Sequence, residues 1–444
     1  QRRHQKVLEE APSPAVSPQL RERMGAAAVA LVRELGYVGA GTVEYLLEDR
    51  TGEFFFLEMN TRLQVEHPVT EEVLGLDLVR LQLRVATGHP LGLDQEALVP
   101  RGHAIEVRLY AEDPARGFLP APGPLFAYGH PETGPGTAEG ARLRFEDGVA
   151  APGEVPAFYD PMLAKVIAHA PTRDEAAAAL AGALEATRVH GPVTNRDLLV
   201  ALLRDPDFLA GDTRTDFLDR HPALLTPAHR TPPVVHLAAA VAVTAFRRRA
   251  ADAVTGHAPP GFRLLPGSAP TTARWECPLG DAVEVAYRLT PGGGGPLVPG
   301  ADASLTLHAE GEAHELELRD LDSDGVRVVH EGVAVPCRVT VHPDGGVWVD
   351  DPAGTSSWRP LPRLPEPESG TAAAGPVADV PGTVVAVHVA AGEQVSAGQV
   401  LVVIEAMKME HPAVAAADGV VEAVHVEVGE YVEAHAVLVT LAAL

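Results

Sequence analysis

Helical and extended patterns alternate along the chain up to about Leu224, after which the pattern changes. Ser17-Pro18 reads as a helix N-cap with proline at the first helical position; an alanine-rich stretch continues it and Gly36 can close it. Two apolar runs follow, Thr42–Leu47 and Phe54–Met59, flanking the turn-rich Asp49-Arg50-Thr51-Gly52. A hairpin centred near Thr51 sets Glu44 opposite Glu58. Thr172-Arg173-Asp174-Glu175 spells a capping box that opens a second alanine-rich helix, with Gly191-Pro192 as its stop. From about Pro232 to Pro360 there is one helical run, Val234 to Arg249, apolar on nearly every side and therefore predicted to be buried. Short period-2 runs come after it (Asp281–Leu289, Ser304–His308, His314–Leu318, Val333–Val341), the signature of an antiparallel β unit.

Leu361 to Ala378 has no periodicity and is rich in Pro, Ala and acidic residues, which reads as a tether able to reach roughly 50 Å if extended. Beyond it the sequence repeats at an offset of 37: Gly382 falls on Gly419, Val387-His388-Val389 on Val424-His425-Val426, and Val400-Leu401-Val402 on Val437-Leu438-Val439. Two copies are too few for a solenoid. A pair of short β units folded about a pseudo-twofold, a small flattened barrel, is the expected outcome.

Composition removes several classes of function. The 60 acidic against 35 basic side chains give a net charge of −25, so attraction to a phosphate backbone points the wrong way; nucleic acids and anionic membranes are excluded as partners. The longest nearly apolar run, Val234 to Phe246, falls short of the ~18 residues a membrane span needs. Cys277 and Cys337 form no CxxC pattern, which argues against a disulfide framework or a thiolate zinc site and suits a reducing, cytoplasmic setting.

The densest chemistry lies between residues 44 and 66. Glu58, Asn60, Arg62, Gln64 and Glu66 alternate, so in an extended chain all project to one side, with Pro68 expected to keep His67 extended as well. Two acids and an amide suit Mg²⁺ shared with phosphate oxygens, and the arginine, amide and third acid beyond them suit an anion. Here the residues resemble a known family. Gln1-Arg2-Arg3-His4-Gln5-Lys6, the run Glu58 to Glu71, Phe118-Leu119-Pro120-Ala121-Pro122-Gly123 and Tyr159-Asp160-Pro161-Met162-Leu163-Ala164-Lys165 resemble the biotin carboxylase component of biotin-dependent carboxylases, an ATP-grasp fold. The resemblance implies that Glu44, Glu58 and Asn60 hold the Mg²⁺ (or Mn²⁺) ions bridging the ATP phosphates. It assigns bicarbonate to Arg62, Gln64 and the backbone of Val65, and makes Glu66 the base that deprotonates it. His4 and Lys6 match residues beside the nucleotide and bicarbonate. Arg144 falls where the family has an arginine at the biotin ring, in a looser match whose ordinary alternative is a local ion pair with Glu146. The family's glycine-rich lid and ATP-binding lysines precede residue 1, so this chain as it stands is expected to bind ATP weakly or not at all and to be inactive alone, although a full-length parent should be competent.

Between the two repeats lies Glu405-Ala406-Met407-Lys408-Met409-Glu410. It resembles the turn of a biotinyl (biotin carboxyl carrier) domain, which implies that a biotin protein ligase attaches biotin to Lys408. The Val234–Pro360 unit resembles, by order and pattern, the domain of acyl-CoA carboxylase alpha subunits that grips a carboxyltransferase beta subunit. A multidomain α+β chain is therefore expected: part of an ATP-grasp domain (1–100), a biotin carboxylase C-terminal domain (101–224), a β-barrel with a helix (232–360), a linker (361–378) and a biotinyl domain (379–444). The resemblance is to alpha subunits of the propionyl-CoA or 3-methylcrotonyl-CoA carboxylase type, which implies a ligase that carboxylates biotin and works in a hetero-oligomer. The alternative is a non-catalytic biotinylated carrier and docking module.

Overall fold

The computed structural model describes residues 6–131, 140–226, 233–252, 269–277, 282–292, 297–364, 375–407 and 409–443. His4, Lys408 and the middle of the expected linker lie outside them.

In the N-terminal half the chain runs through β1 (Leu8–Ala11), α1 (Pro18–Glu34), β2 (Thr42–Leu47), β3 (Phe54–Asn60), α2 (His67–Leu74), α3 (Leu78–Ala86), β4 (His103–Tyr110), β5 (Arg142–Asp147), β6 (Met162–Ala170), α4 (Arg173–Glu185) and α5 (Arg196–Leu203). The Ser17 hydroxyl accepts from the Leu20 N–H at 3.2 Å, and Gly36 takes φ +59° just past the helix, so α1 starts and stops where the sequence places it. The capping box at Thr172 is also present. Its helix ends earlier than Gly191, at Glu185, because Arg188–His190 pairs with Ala127–Gly129 as a strand. The central sheet is antiparallel, in the order β1-β4-β6-β5. Ile105, Val107, Val166 and Ala168 on one face pack with Leu180, Leu184, Leu198 and Leu199 of α4 and α5. On the other, Ala104 meets Val69 and Val73 of α2, which fixes the segment just after Glu66.

Next comes α6 (Pro233–Ala251), followed by eight strands: β7 (Thr271–Glu276), β8 (Ala282–Pro291), β9 (Ala301–Ala309), β10 (Glu312–Leu321), β11 (Gly325–His330), β12 (Val333–Val341), β13 (Val347–Asp351) and β14 (Gly354–Leu361). Each pairs with its neighbours in sequence, and β7 pairs with β14, closing a barrel. The period-2 residues Leu305, Leu307, Leu316, Leu318, Val326 and Val328 point inward onto α6, whose Leu237 to Val243 are all buried. A helix apolar all round needs such an enclosure. Polar links cross this core at His236: its Nδ1 lies 2.7 Å from Ser356 Oγ, which also accepts from Trp358 Nε1 at 2.8 Å, and its Nε2 lies 3.3 Å from Asp351 Oδ2. Fully buried His190, stacked on Trp348 and 3.0 Å from Asp350, ties the barrel to the preceding domain.

The last domain holds β15 (Gly382–Val387), β16 (Gln394–Val395), β17 (Val400–Ala406), β18 (Met409–Val414), β19 (Gly419–Val424), β20 (Tyr431–Val432) and β21 (Val439–Ala443). The two repeats exchange strands: β15 pairs with β20 through Gly382↔Val432, and β19 with β16 through Gly419↔Val395. Those are the same residue pair at the offset of 37. A Cβ on Gly382 would come within 2.5 Å of Glu405 O, and one on Gly419 within 2.9 Å of Ala442 O, so both copies use glycine for the same close approach. The symmetry reaches further back than the repeat read from sequence. Val377 bridges to Val437 as Val414 does to Val400, and the Ala378 and Ala415 N–H groups donate to Ala436 and Gln399 carbonyls, both at 2.9 Å. Both ends of the expected tether belong to folded units: Leu361 closes β14 and Ala378 is buried in the last domain's core.

Candidate active site

The β2–β3 hairpin puts Glu44 opposite Glu58, as the sequence predicts, by an unexpected route. Near its turn the strands pair one residue out of that register (Leu47↔Phe54), and a bulge between Glu44 and Tyr45 restores it. Asn60 Nδ2 donates to Glu44 Oε1 and to Glu58 Oε1, each at 3.0 Å, drawing both carboxylates around one amide.

The extended face expected from Glu58 to Glu66 is not what assembles the rest. β3 ends at Asn60, the chain turns, and His67 is the first residue of α2 rather than extended; Pro68 sits in the first helical turn, where its missing N–H costs nothing. Folding back achieves what alternation could not. Gln64 becomes buried and its Nε2 donates to Glu44 Oε1 at 2.8 Å. Lys6, reaching in ahead of β1, donates to the same oxygen at 2.8 Å and to Glu66 Oε1 at 2.5 Å. Arg62 stays exposed, with bonds of 3.3 Å to Asn60 Oδ1 and to Leu63 O, and it lines a cleft of about 720 Å³ together with Gln64 and Glu66. Val65 is held from behind, its carbonyl accepting from Lys165 Nζ at 2.9 Å.

Burial works against the charge on Lys6, but its bonds to Glu44 and Glu66 outweigh that and raise its pKa above the usual lysine value. Burial likewise opposes ionisation of Glu44, and the bonds from Lys6 and Gln64 overcome it and lower its pKa. The cluster is charged on both sides.

Arg144 on β5 lies 2.8 Å from Glu71 and 3.4 Å from Glu72 of α2 and also contacts Glu146. The local pair with Glu146 therefore exists, inside a larger set of acids. Lys165 links that set to the cleft, 2.6 Å from Glu146 and bonded to Val65.

Sequence reading missed the layer beneath. Arg108 on β4 lies 3.0 Å from Glu66 Oε2 and 2.6 Å from Glu9 Oε1. Glu9 stands directly across from Glu106 in the sheet. Glu106 is fully buried with no hydrogen-bond donor among the described residues, and burial pushes its pKa up to about 9; burial pushes Glu9 up to about 7. Glu106 and Arg108 interrupt the otherwise apolar Ala104-Ile105-Glu106-Val107-Arg108-Leu109 at period 2, and opposite charges on one face of a central strand were the available signal.

Comparison with known proteins matches four families in succession. Residues 1–94 match the carbamoyl-phosphate synthase L chain ATP-binding domain and 106–220 the biotin carboxylase C-terminal domain. Residues 232–363 match the methylcrotonyl-CoA carboxylase alpha-subunit BT domain, and 369–441 the biotin-requiring enzyme family. The chain is 36% identical over 424 residues to the mitochondrial methylcrotonoyl-CoA carboxylase subunit alpha of Mus musculus, covering 93% of this chain and 57% of the relative. It is 36% identical over 432 residues to the propionyl-CoA carboxylase alpha chain of Ruegeria pomeroyi, covering 93% and 62%. Over 221 residues it is 50% identical to biotin carboxylase 2 of Bacillus subtilis, covering 50% and 48%. Among solved structures, a Rhizobium etli pyruvate carboxylase with acetyl coenzyme-A matches 61% of this chain and 26% of its own at 33% identity, TM-score 0.51. The chain thus spans about six-tenths of the length of the alpha subunits it matches.

Proposed function

Because the chain is a homologue of acyl-CoA carboxylase alpha subunits, carrying biotin carboxylase, BT and biotinyl domains in that order, we propose that it uses ATP and bicarbonate to carboxylate biotin on Lys408 and carries the carboxyl group to a separate carboxyltransferase beta subunit acting on an acyl-CoA. The observation that carries this reading is the convergence of Lys6, Asn60 and Gln64 on one oxygen of Glu44, with Glu66 sharing the same lysine beside the cleft.

The residues fit a divalent cation by their donor chemistry: Glu44, Glu58 and Asn60 lie within hydrogen-bond reach, and turning the Asn60 amide presents three hard oxygens, suited to Mg²⁺ or Mn²⁺. When bound, the cation neutralises ATP phosphate charge and biotin supplies the nucleophilic ring nitrogen. The chain's own residues do the rest. Arg62, Gln64 and the Val65 backbone hold bicarbonate at the cleft, the guanidinium fork matching a planar oxyanion. Glu66 takes the bicarbonate proton as its oxygen forms a bond to the γ-phosphorus, the P–O bond to ADP breaks, and carboxyphosphate results. Lys6 balances the charge of Glu44 and Glu66 while His4 lies beside the nucleotide, and Arg144 orients the biotin ring. The closed barrel grips the beta subunit, a biotin protein ligase modifies Lys408, and the free thiols of Cys277 and Cys337 suit the cytoplasm.

The carrier-and-docking-module reading has one observation in its favour: the barrel and the two-copy domain close their cores without any residue of the β2–β3 hairpin. Two measurements decide. Intact mass after coexpression with a biotin ligase should rise by one biotin and not in Lys408→Arg; no gain refutes the carrier assignment. ATP-dependent carboxylation of free biotin, falling about 10²–10⁴-fold in Glu66→Gln, supports the enzyme; inactivity with beta-subunit binding intact leaves only the carrier.

A further inference from the structure

Met407 belongs to the last domain by sequence and to another by packing. The core of its own domain is built from residues such as Val384, Leu401, Ile404, Val421 and Leu438 and leaves it out. It is 4% exposed because it enters an apolar cluster of the carboxylase C-terminal domain made by Leu109, Leu125, Val155, Leu163 and Val189. Its N–H donates to Ala157 O at 2.9 Å, joining the tip of the β17–β18 hairpin to the loop after Val155. At the rim, the exposed rings of Phe158 and Tyr431 approach with centroids 5.4 Å apart. Met407 also has φ +49°, the left-handed conformation that a two-residue hairpin loop between the paired Ala406 and Met409 calls for, which sets its side chain at the very tip.

We propose that Met407 is a releasable plug, and the Leu109–Val189 cluster its socket, by which the last domain docks on the carboxylase domain of its own chain. An unbranched thioether suits the task, since it fills an irregular pocket without demanding a single rotamer. Among the described residues one buried side chain, one backbone bond and one ring pair carry the contact, too little to persist between separate molecules. The intervening linker raises the effective concentration to the order of millimolar, so the docked state dominates yet opens readily. The consequence, though not the docking, rests on the carrier reading: Met407 directly precedes Lys408, so seating the plug brings the acceptor lysine to this domain and releasing it frees the lysine for another enzyme.

Methionine oxidation by dilute hydrogen peroxide, read by peptide mass, tests this on the whole chain. The sequence has five methionines, and Met407 is the buried one. It should oxidise about tenfold more slowly than Met409, as follows if the open state is populated at roughly one part in ten or less. Val155→Asp, which puts a carboxylate in the socket, should bring the two to within about twofold. The double variant Phe158→Ser/Tyr431→Ser touches neither core and should move the ratio in the same direction even if Val155→Asp does not fold. Equal oxidation of Met407 and Met409 in the unaltered chain overturns the proposal. So does slow oxidation that persists in every folded variant. Lys408→Arg should keep the protection, so a missing biotin adduct with a slow Met407 removes the carrier reading and leaves the docking.

Discussion

The hairpin that carries the acidic cluster and the barrel around α6 dispose of their apolar residues in opposite ways. Every barrel strand has a neighbour on both edges, and the inward side chains close on a helix. β2 and β3 form a two-stranded sheet by themselves, with Leu46, Phe55, Phe56 and Leu57 exposed, and α3 close by has no buried residue. A lone two-stranded hairpin is marginal in water, and an outer apolar face of this kind is typical of contact with another surface. The barrel holds its geometry by exclusion of water. The β2–β3 hairpin holds its own by charge: Lys6 and Gln64 fasten Glu44, Arg108 and Lys6 fasten Glu66, and Glu9 fastens Arg108. The geometry of the candidate site is therefore an electrostatic property, while that of the barrel is a hydrophobic one.

The strongest test of that contrast is in the barrel. Ala240→Asp places an uncompensated charge at a fully buried position of α6 and should cost roughly 3–5 kcal/mol. The three tryptophans, Trp275, Trp348 and Trp358, all lie on barrel strands, so their fluorescence in a urea titration reports this unfolding directly. A shift below about 0.5 kcal/mol, the usual size of a surface change, would mean that the helix is not sealed in.

Next comes the pH dependence beneath the candidate site. Glu106 keeps its proton in the folded chain up to about pH 9, whereas the unfolded chain releases it near the ordinary glutamate value. The unfolded state thus binds fewer protons across that window, and stability should fall as pH rises from about 5 to 9, by at most about 1.4 kcal/mol per pH unit. Glu106→Gln should flatten the slope, measured as urea midpoints by circular dichroism. An unchanged slope would put the charge-held region on the same footing as the barrel.

The smallest effect sharpens the comparison from the other side. Phe55→Ser removes an exposed ring from β3 and should change stability by less than about 0.5 kcal/mol while reducing self-association, seen by light scattering. A large loss of stability would show that the outer face of the hairpin is covered in solution.

Much of the fold was legible where a local rule suffices. Ser17, Gly36 and the Thr172 capping box act through neighbours within a few residues, and the alternating runs around Leu305 and Leu316 need only period 2. The offset of 37 exposed the two-copy domain, although Val377 escaped because only the dipeptide Val377-Ala378 falls on its like, Val414-Ala415, too short a match to stand out. The acid pair Glu44 and Glu58 followed from hairpin counting, which a bulge happened to repair. His67 did not follow, since helix start and extended chain are both open to a residue before proline. Arg108 meets Glu66 and Glu9, and Lys165 meets Val65, across separations of tens of residues, and no local pattern encodes that.

The sequence by itself determined which segments are helix, strand and repeat, and which residues could supply acid, amide and guanidinium chemistry, because those properties depend on spacing and side-chain type. Only the tertiary structure decided that Gln64 turns inward, that one lysine serves two carboxylates, that Glu106 is fully buried, and that Met407 leaves its own domain for another. The reason is physical. Burial, and with it charge state and docking, is set by what lies across the fold, and the energy of desolvating a carboxylate or a methionine is undefined until the surrounding surface is in place.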